Sequence, residues 1–298
     1  MPDLALSGIL TAFPTPTLPD GGVDEPALRR LLRFLLENGV QGFVPVGGTG
    51  EYTALPPTSR LKVVEISVDV AAGKVPVVAG VLSPGFGEAL EAGRAFTRAG
   101  ADALMLITPF YATPSQQGIR DYFKAYRDSV DRPVLFYDIP YRTGVKAEPE
   151  TIAAIAADGS VIGMKESNPD IHHFNRLATM LPPHFALLSG EETHYPIHVA
   201  LGAKGGVLAT SALMPRHWTR IHELATAGKL AEAIAAQRLL LPAIQTLFSE
   251  TNPGPLKAAM ALAGMPIGDA LLPLLPPGEA LMAKLRTLIA DLKSQDLL

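Results

Sequence analysis

An α/β fold, a closed (β/α)8 barrel of the TIM type with a C-terminal helical extension, is what this sequence predicts, and three observations carry the expectation. About eight short runs rich in Val, Ile, Leu and Phe alternate with longer segments of helical spacing. The runs are continuously apolar instead of alternating, as parallel strands covered on both faces should be. After about Met214 the runs stop and Ala- and Leu-rich helical stretches follow.

In chain order the expected strands are Gly8 to Phe13, Gly42 to Val46, Val75 to Val81, Ala103 to Thr108, Pro133 to Ile139, Val161 to Lys165, Phe185 to Ser189 and Gly205 to Ala209. The first intervening helix, Asp24 to Asn38, carries Leu28, Leu31, Leu32 and Leu35 on one face and stops at Asn38-Gly39. A doubly wound open sheet is the competing architecture, but no GxGxxG fingerprint opens a helix after the first strand. The extension is expected as helices over His217 to Ala227, Leu230 to Phe248, Pro255 to Ala263 and Gly278 to Leu292, broken by Asn252-Pro253-Gly254-Pro255. The expected division is a catalytic barrel over residues 1–225 and a helical domain over 226–298.

Composition excludes several function classes. Formal charge is −4 and no block of Lys or Arg marks a surface for nucleic acid or anionic lipid. With no cysteine there is no disulfide, thiolate nucleophile or sulfur-ligated metal. The opening Met1-Pro2-Asp3-Leu4 has no basic segment leading into an apolar core, and no apolar stretch approaches the ~20 residues that span a bilayer. A cytoplasmic protein without a membrane partner is expected.

Within this frame one residue is out of place. Lys165 lies in the apolar run Val161-Ile162-Gly163-Met164-Lys165-Glu166-Ser167. Taking an amine out of water disfavours its charged form, which leaves more of the neutral nucleophile that attacks carbonyl carbon. The structural alternative is an ion pair with Glu166, or a stem lying on apolar surface with the amine at water. In a barrel the chemistry sits on the loops after the C-terminal strand ends. Those ends carry Gly47-Gly48-Thr49-Gly50-Glu51, Thr108-Pro109-Phe110-Tyr111, Tyr137 to Gly144 and Ser189-Gly190-Glu191-Glu192, so polar groups converge around one lysine. The glycine turn and the Thr49 hydroxyl suit a small carboxylate, or equally a tight turn needing positive φ. Tyr137 offers a phenol for proton exchange, and Arg142 a planar fork for a second carboxylate. Seven histidines form no HExxH pair; His194 and His198 stand at i, i+4, but two ligands without cysteine do not make a metal site. There is no GxSxG elbow for serine hydrolysis.

Gly47 to Glu51, Thr108 to Tyr111 with Pro114-Ser115-Gln116, Tyr137 to Gly144, Gly163-Met164-Lys165-Glu166, Leu188 to Glu191 and Asn252 to Lys257 together resemble the dihydrodipicolinate synthase and N-acetylneuraminate lyase superfamily over essentially the whole length. The resemblance implies a lyase that uses Lys165 to form an imine with pyruvate or a related 2-oxo acid, with no cofactor and no metal. It implies that Gly48 and Thr49 bind the 2-oxo acid carboxylate, that Tyr137 shuttles protons, and that Gly190 and Leu208 lie along the enamine. The Arg-Thr-Gly element at 142–144 resembles the synthases, where the matching arginine holds the carboxylate of aspartate semialdehyde. Tyr111 then matches a tyrosine lent to a neighbour's site across a tight dimer, within a homotetramer built as a dimer of dimers. Two departures stand out: Gly48 replaces the hydroxyl residue that links the two tyrosines, and Tyr141 is bulkier than usual. They leave open a lyase or dehydratase of a 2-oxo sugar acid, and, from another class, a binding protein that kept the barrel without its chemistry. Pro57 and Pro84 stand where lysine-inhibited synthases use histidine and asparagine, which implies weak feedback by L-lysine.

Overall fold

The computed structural model describes residues 4–298, so Met1 to Asp3 of the opening segment lie outside the described residues. Eight parallel strands form one sheet: β1 Gly8–Thr11, β2 Gly42–Phe43, β3 Val78–Val81, β4 Ala103–Ile107, β5 Val134–Asp138, β6 Gly163–Glu166, β7 Ala186–Ser189 and β8 Gly205–Leu208. Their order is β2-β1-β8-β7-β6-β5-β4-β3, and a parallel bridge from Phe43 to Val77 closes the ring. Every strand residue is buried, which is why each run reads as unbroken apolar sequence.

Each expected strand exists, with ends trimmed for local reasons. β2 stops after Phe43 because Pro45 has no N–H to give and Val46 turns to φ 48°. The seam continues without it, since Gly80 N donates to Pro45 O at 3.0 Å. Pro76 shortens β3 in the same way. The first helix, Glu25–Glu37, is capped by Asp24, whose carboxylate accepts from Ala27 N at 3.0 Å, and it presents Leu28, Leu31, Leu32 and Leu35 to the core.

The C-terminal helices are Pro215–Thr226, Leu230–Leu247, Gly254–Ala263 and Glu279–Ser294. The first packs on β1 and the outer helix Tyr195–Ala200, with Trp218 wholly buried. The break at Asn252-Pro253 returns the chain to the C-terminal mouth of the barrel, where Asn252 and Lys257 are buried. No helix among the described residues is long and apolar enough to cross a membrane.

Candidate active site

β5 and β6 set the centre of the site. Their parallel register places Tyr137 beside Lys165, and alternation along each strand turns both side chains into the lumen. Lys165 Nζ lies 4.5 Å from the centre of the Tyr137 ring. The amine makes no hydrogen bond or ion pair within the chain among the described residues. Glu166 faces the other way, so the ion pair raised as an alternative is not formed. Lys165 is only 8% exposed, and burial is the main cause that lowers its pKa to about 8; the Arg142 guanidinium adds to the fall and Glu192 opposes it. Burial pushes the Tyr137 phenol up to about 12, with Arg142 and the neighbouring Ser167 hydroxyl working against that rise. Near neutral pH the lysine is thus the easier group to deprotonate, and the tyrosine keeps its proton.

Gly190, after β7, makes room for the lysine stem. A Cβ there would stand 2.1 Å from Ser167 Oγ and 3.0 Å from Lys165 Cε, so no side chain fits. The glycine turn after β2 behaves differently from the positive-φ expectation. Its left-handed residues are Val46 and Glu51, at φ 48° and 60°, and not its glycines. Gly50 is needed for close approach, since a Cβ would meet Val46 N at 2.7 Å. Gly48 is not sterically required: a Cβ would touch only Arg142 Nη1, at 3.7 Å.

Thr49 is held from a distance. Asn252 Nδ2 donates to Thr49 Oγ1 at 2.9 Å, which leaves the threonine proton to point elsewhere. The amides of Gly48 and Thr49 give no hydrogen bond within the chain among the described residues. Two unspent amides and a hydroxyl form a cradle for a small anion. The turn is anchored below by Glu51, whose Oε2 lies 2.5 Å from Lys257 Nζ and whose Oε1 accepts from Leu271 N at 2.6 Å.

Arg142, on the short helix Pro140–Thr143, borders the inner pocket that holds Lys165, Tyr137 and Thr49. It also borders the wider mouth, a cleft of 870 Å³ reaching out to Gln245, Phe248 and Thr251. Tyr141 stands at the rim, 65% exposed. Tyr111 does not join the site of its own chain: it is 96% exposed at φ 71°. Leu208 does not face the pocket either. Its side chain lies on the Tyr195 side of β8 and its carbonyl accepts from Ala12 N and Ser211 Oγ, while Val207 and Ala209 line the lumen. One residue of strand parity separates the expectation from the structure.

Asn252, Ser167 and Glu192 are pocket residues to which the sequence alone assigned no role. The carboxyl of Glu192 accepts from the amides of Ala209 and Thr210 and from the Thr210 hydroxyl, and so ties β7's loop to β8. The only signal of Asn252 was its place in the Asn-Pro-Gly-Pro-Leu-Lys segment. His194 and His198 serve packing: the His198 ring stacks on Phe174 at 3.7 Å, its Nδ1 meets Ser189 Oγ at 2.8 Å, and burial drops its pKa to about 3.

A buried amine without a partner among the described residues thus stands at the C-terminal rim of a parallel barrel, beside an un-ionised phenol and two unspent amides, the arrangement of a barrel enzyme for small polar substrates. The chain belongs to the dihydrodipicolinate synthetase family, whose model matches residues 5–292. It is 36% identical over 284 residues to the 4-hydroxy-tetrahydrodipicolinate synthase of Syntrophus aciditrophicus, covering 95% of this chain and 97% of that one. The same enzyme of Pelobacter propionicus is 37% identical over 292 residues, covering 98% and 99%. Among solved structures, the dihydrodipicolinate synthase of Thermotoga maritima superposes with a TM-score of 0.94 at 32% identity, over 99% of this chain and 100% of that one. Proteins of this family are class I lyases, and the chain is an enzyme of that class.

Proposed function

We propose that this enzyme condenses pyruvate with L-aspartate semialdehyde, the reaction for which the 4-hydroxy-tetrahydrodipicolinate synthases are named. The observation that carries the reading is the unpaired Lys165 amine in the slot left by Gly190, facing Tyr137. The neutral amine adds to the keto carbon of pyruvate while its carboxylate sits on the Gly48 and Thr49 amides and the Thr49 hydroxyl. Tyr137 delivers the proton with which the carbinolamine oxygen leaves as water, giving the protonated imine. Loss of a methyl proton gives the enamine, whose carbon attacks the aldehyde; Arg142 takes the aldehyde's own carboxylate. The Tyr137 oxygen takes the methyl proton and passes it to the new alkoxide, and the amino group of the aspartate semialdehyde portion then displaces Lys165 from the imine carbon, which closes the ring and returns the lysine as a free amine. The electron sink is the protonated imine itself, so no cofactor enters the scheme.

A second reading is supported by the open space at Gly48 and the wide mouth at Tyr141, which suit a longer 2-oxo sugar acid. Steady-state turnover of pyruvate and L-aspartate semialdehyde, coupled to dihydrodipicolinate reductase, decides between them. Efficient turnover establishes the synthase. A borohydride-trapped pyruvate adduct at Lys165 without turnover moves the enzyme to sugar acids, and no adduct at all leaves a binding protein. The exposed Tyr111 supports the homotetramer that the resemblance implies, in which a second copy receives that ring, and sedimentation of a monomer would refute it. Pro57, the first residue of helix Pro57–Ala71, and Pro84 offer no side-chain hydrogen bond to an effector, so half-maximal inhibition by submillimolar L-lysine is not expected.

A further inference from the structure

Behind the lysine and the tyrosine, on the outer face of the same two rungs, lies a second buried constellation. The register that pairs Tyr137 with Lys165 also pairs Asp138 with Glu166. Alternation turns these two away from the lumen, toward the helix Ile171–Met180, which contributes His173. Both carboxyl residues are fully buried and His173 is 4% exposed. One oxygen of each acid is already engaged: Asp138 Oδ1 accepts from Thr108 Oγ1 at 3.0 Å, and Glu166 Oε1 from Asn168 N at 2.6 Å. The other oxygens, Asp138 Oδ2 and Glu166 Oε2, have no hydrogen-bond partner, and neither has His173 Nε2. The three groups approach to within 4.8 Å of one another, with His173 Nε2 3.7 Å from Glu166 Oε2.

Two ionised carboxylates are acceptors only, and in this buried wall they would repel each other. One proton changes the arithmetic, because it converts an acceptor into a donor with an acceptor within 4.8 Å. We propose that Asp138 and Glu166 hold one proton between them, and that this shared proton clasps β5 to β6 and thereby positions Tyr137 against Lys165. The groups that face Asp138 are Glu166 from β6, His173 from the helix behind, Lys146 from the loop after Thr143, and the neutral Thr108 hydroxyl from the end of β4. Burial first and the Glu166 charge second push the Asp138 carboxyl well above the ordinary range, and burial raises Glu166 as well; the Thr108 hydroxyl, the Ala147 amide and Lys146 oppose the rise at Asp138. The positioning half of the proposal rests on the imine reading of Lys165, whereas the proton itself does not.

Infrared spectroscopy of the intact protein tests the proton directly, with Asp138→Asn as the neutral isostere. The difference spectrum of wild type minus variant at neutral pH is expected to contain a protonated-carboxyl C=O stretch; its absence overturns the proposal. Because the folded state holds this proton more tightly than the unfolded chain, wild type should lose stability relative to Asp138→Asn as pH rises from the ordinary carboxylate range through the raised folded-state value, and parallel stability curves overturn the assignment. One equivalent of a divalent metal in the purified wild type that is missing from Asp138→Asn would also overturn it, by replacing the proton with a cation. For positioning, Asp138→Asn should keep kcat, while Asp138→Leu should lower it about tenfold with the KM for pyruvate unchanged. Equal kcat in all three refutes the clasp. If Asp138→Leu does not fold, the infrared and stability comparisons of Asp138→Asn still decide, and they do so even if wild type shows no turnover.

Discussion

Two buried lysines in this chain have opposite fates. Lys257, 1% exposed, reaches Glu51 at 2.5 Å and the Asp269 carbonyl at 2.9 Å, so its charge is matched by oxygen. Lys165, 8% exposed, has no such partner, and the larger charge effect on it comes from the like-signed Arg142. Burial is the leading cause that lowers both pKa values; at Lys257 the Glu51 carboxylate pulls back by charge and by hydrogen bond, whereas at Lys165 Glu192 pulls back by charge alone and by less than Arg142 pushes down. The lesson is that burial alone does not make a reactive amine. Burial without a counter-ion does, and the chain withholds that counter-ion at one lysine while supplying it at the other.

The sharpest test of the contrast removes each amine in turn. Lys165→Met should abolish the borohydride-trapped pyruvate adduct, as read by intact mass, and yet stabilise the fold. Below about pH 8 the folded chain holds the Lys165 proton about 3 kcal/mol less favourably than the unfolded chain, a cost that fades as pH rises toward the ordinary lysine range. Denaturant unfolding at neutral pH should therefore show a higher midpoint. Lys257→Met should do the reverse and cost about 3–5 kcal/mol, because it leaves the Glu51 carboxylate buried and unpaired. Equal effects of the two substitutions would break the comparison.

A finer test asks what sets the Lys165 basicity. The rate of pyruvate trapping in wild type should rise with pH through about 8, as the amine loses its proton. Arg142→Ala removes the like charge and should move that rise to higher pH; an unmoved profile would leave burial as the whole cause. The smallest effect is expected at Asn252→Ala, which deletes one hydrogen bond to Thr49. It should raise the KM for pyruvate several-fold, about 1 kcal/mol, with the pH profile of trapping unchanged.

The barrel was legible because its strands are covered on both faces, so that each wrote a continuous apolar run into the sequence. Lys165 was legible for the same reason in reverse, as a charge inside such a run. Strand ends were less so, since Pro45 and the left-handed Val46 cut β2 short where composition still reads as strand. Leu208 shows a sharper limit: side chains alternate with a period of two, and assigning the pocket to Leu208 instead of Val207 selects the wrong face of β8. Asn252 was visible as part of the Asn-Pro-Gly-Pro-Leu-Lys segment, but its role was not, because its contact joins residues 203 positions apart. The Asp138 and Glu166 pair was hidden by register, which only the assembled sheet reveals.

The two ties that cross from the barrel mouth to the C-terminal helices, Thr49 to Asn252 and Glu51 to Lys257, also govern how the chain can be recombined. A chimera spliced near residue 225 inherits positions 49 and 51 from one parent and 252 and 257 from the other. Matching helices and loops in length would not be enough, for a parent lacking either member strands a polar group at the Gly47 to Glu51 turn. These four positions travel as a single unit of inheritance, although nearly the whole barrel lies between them in sequence.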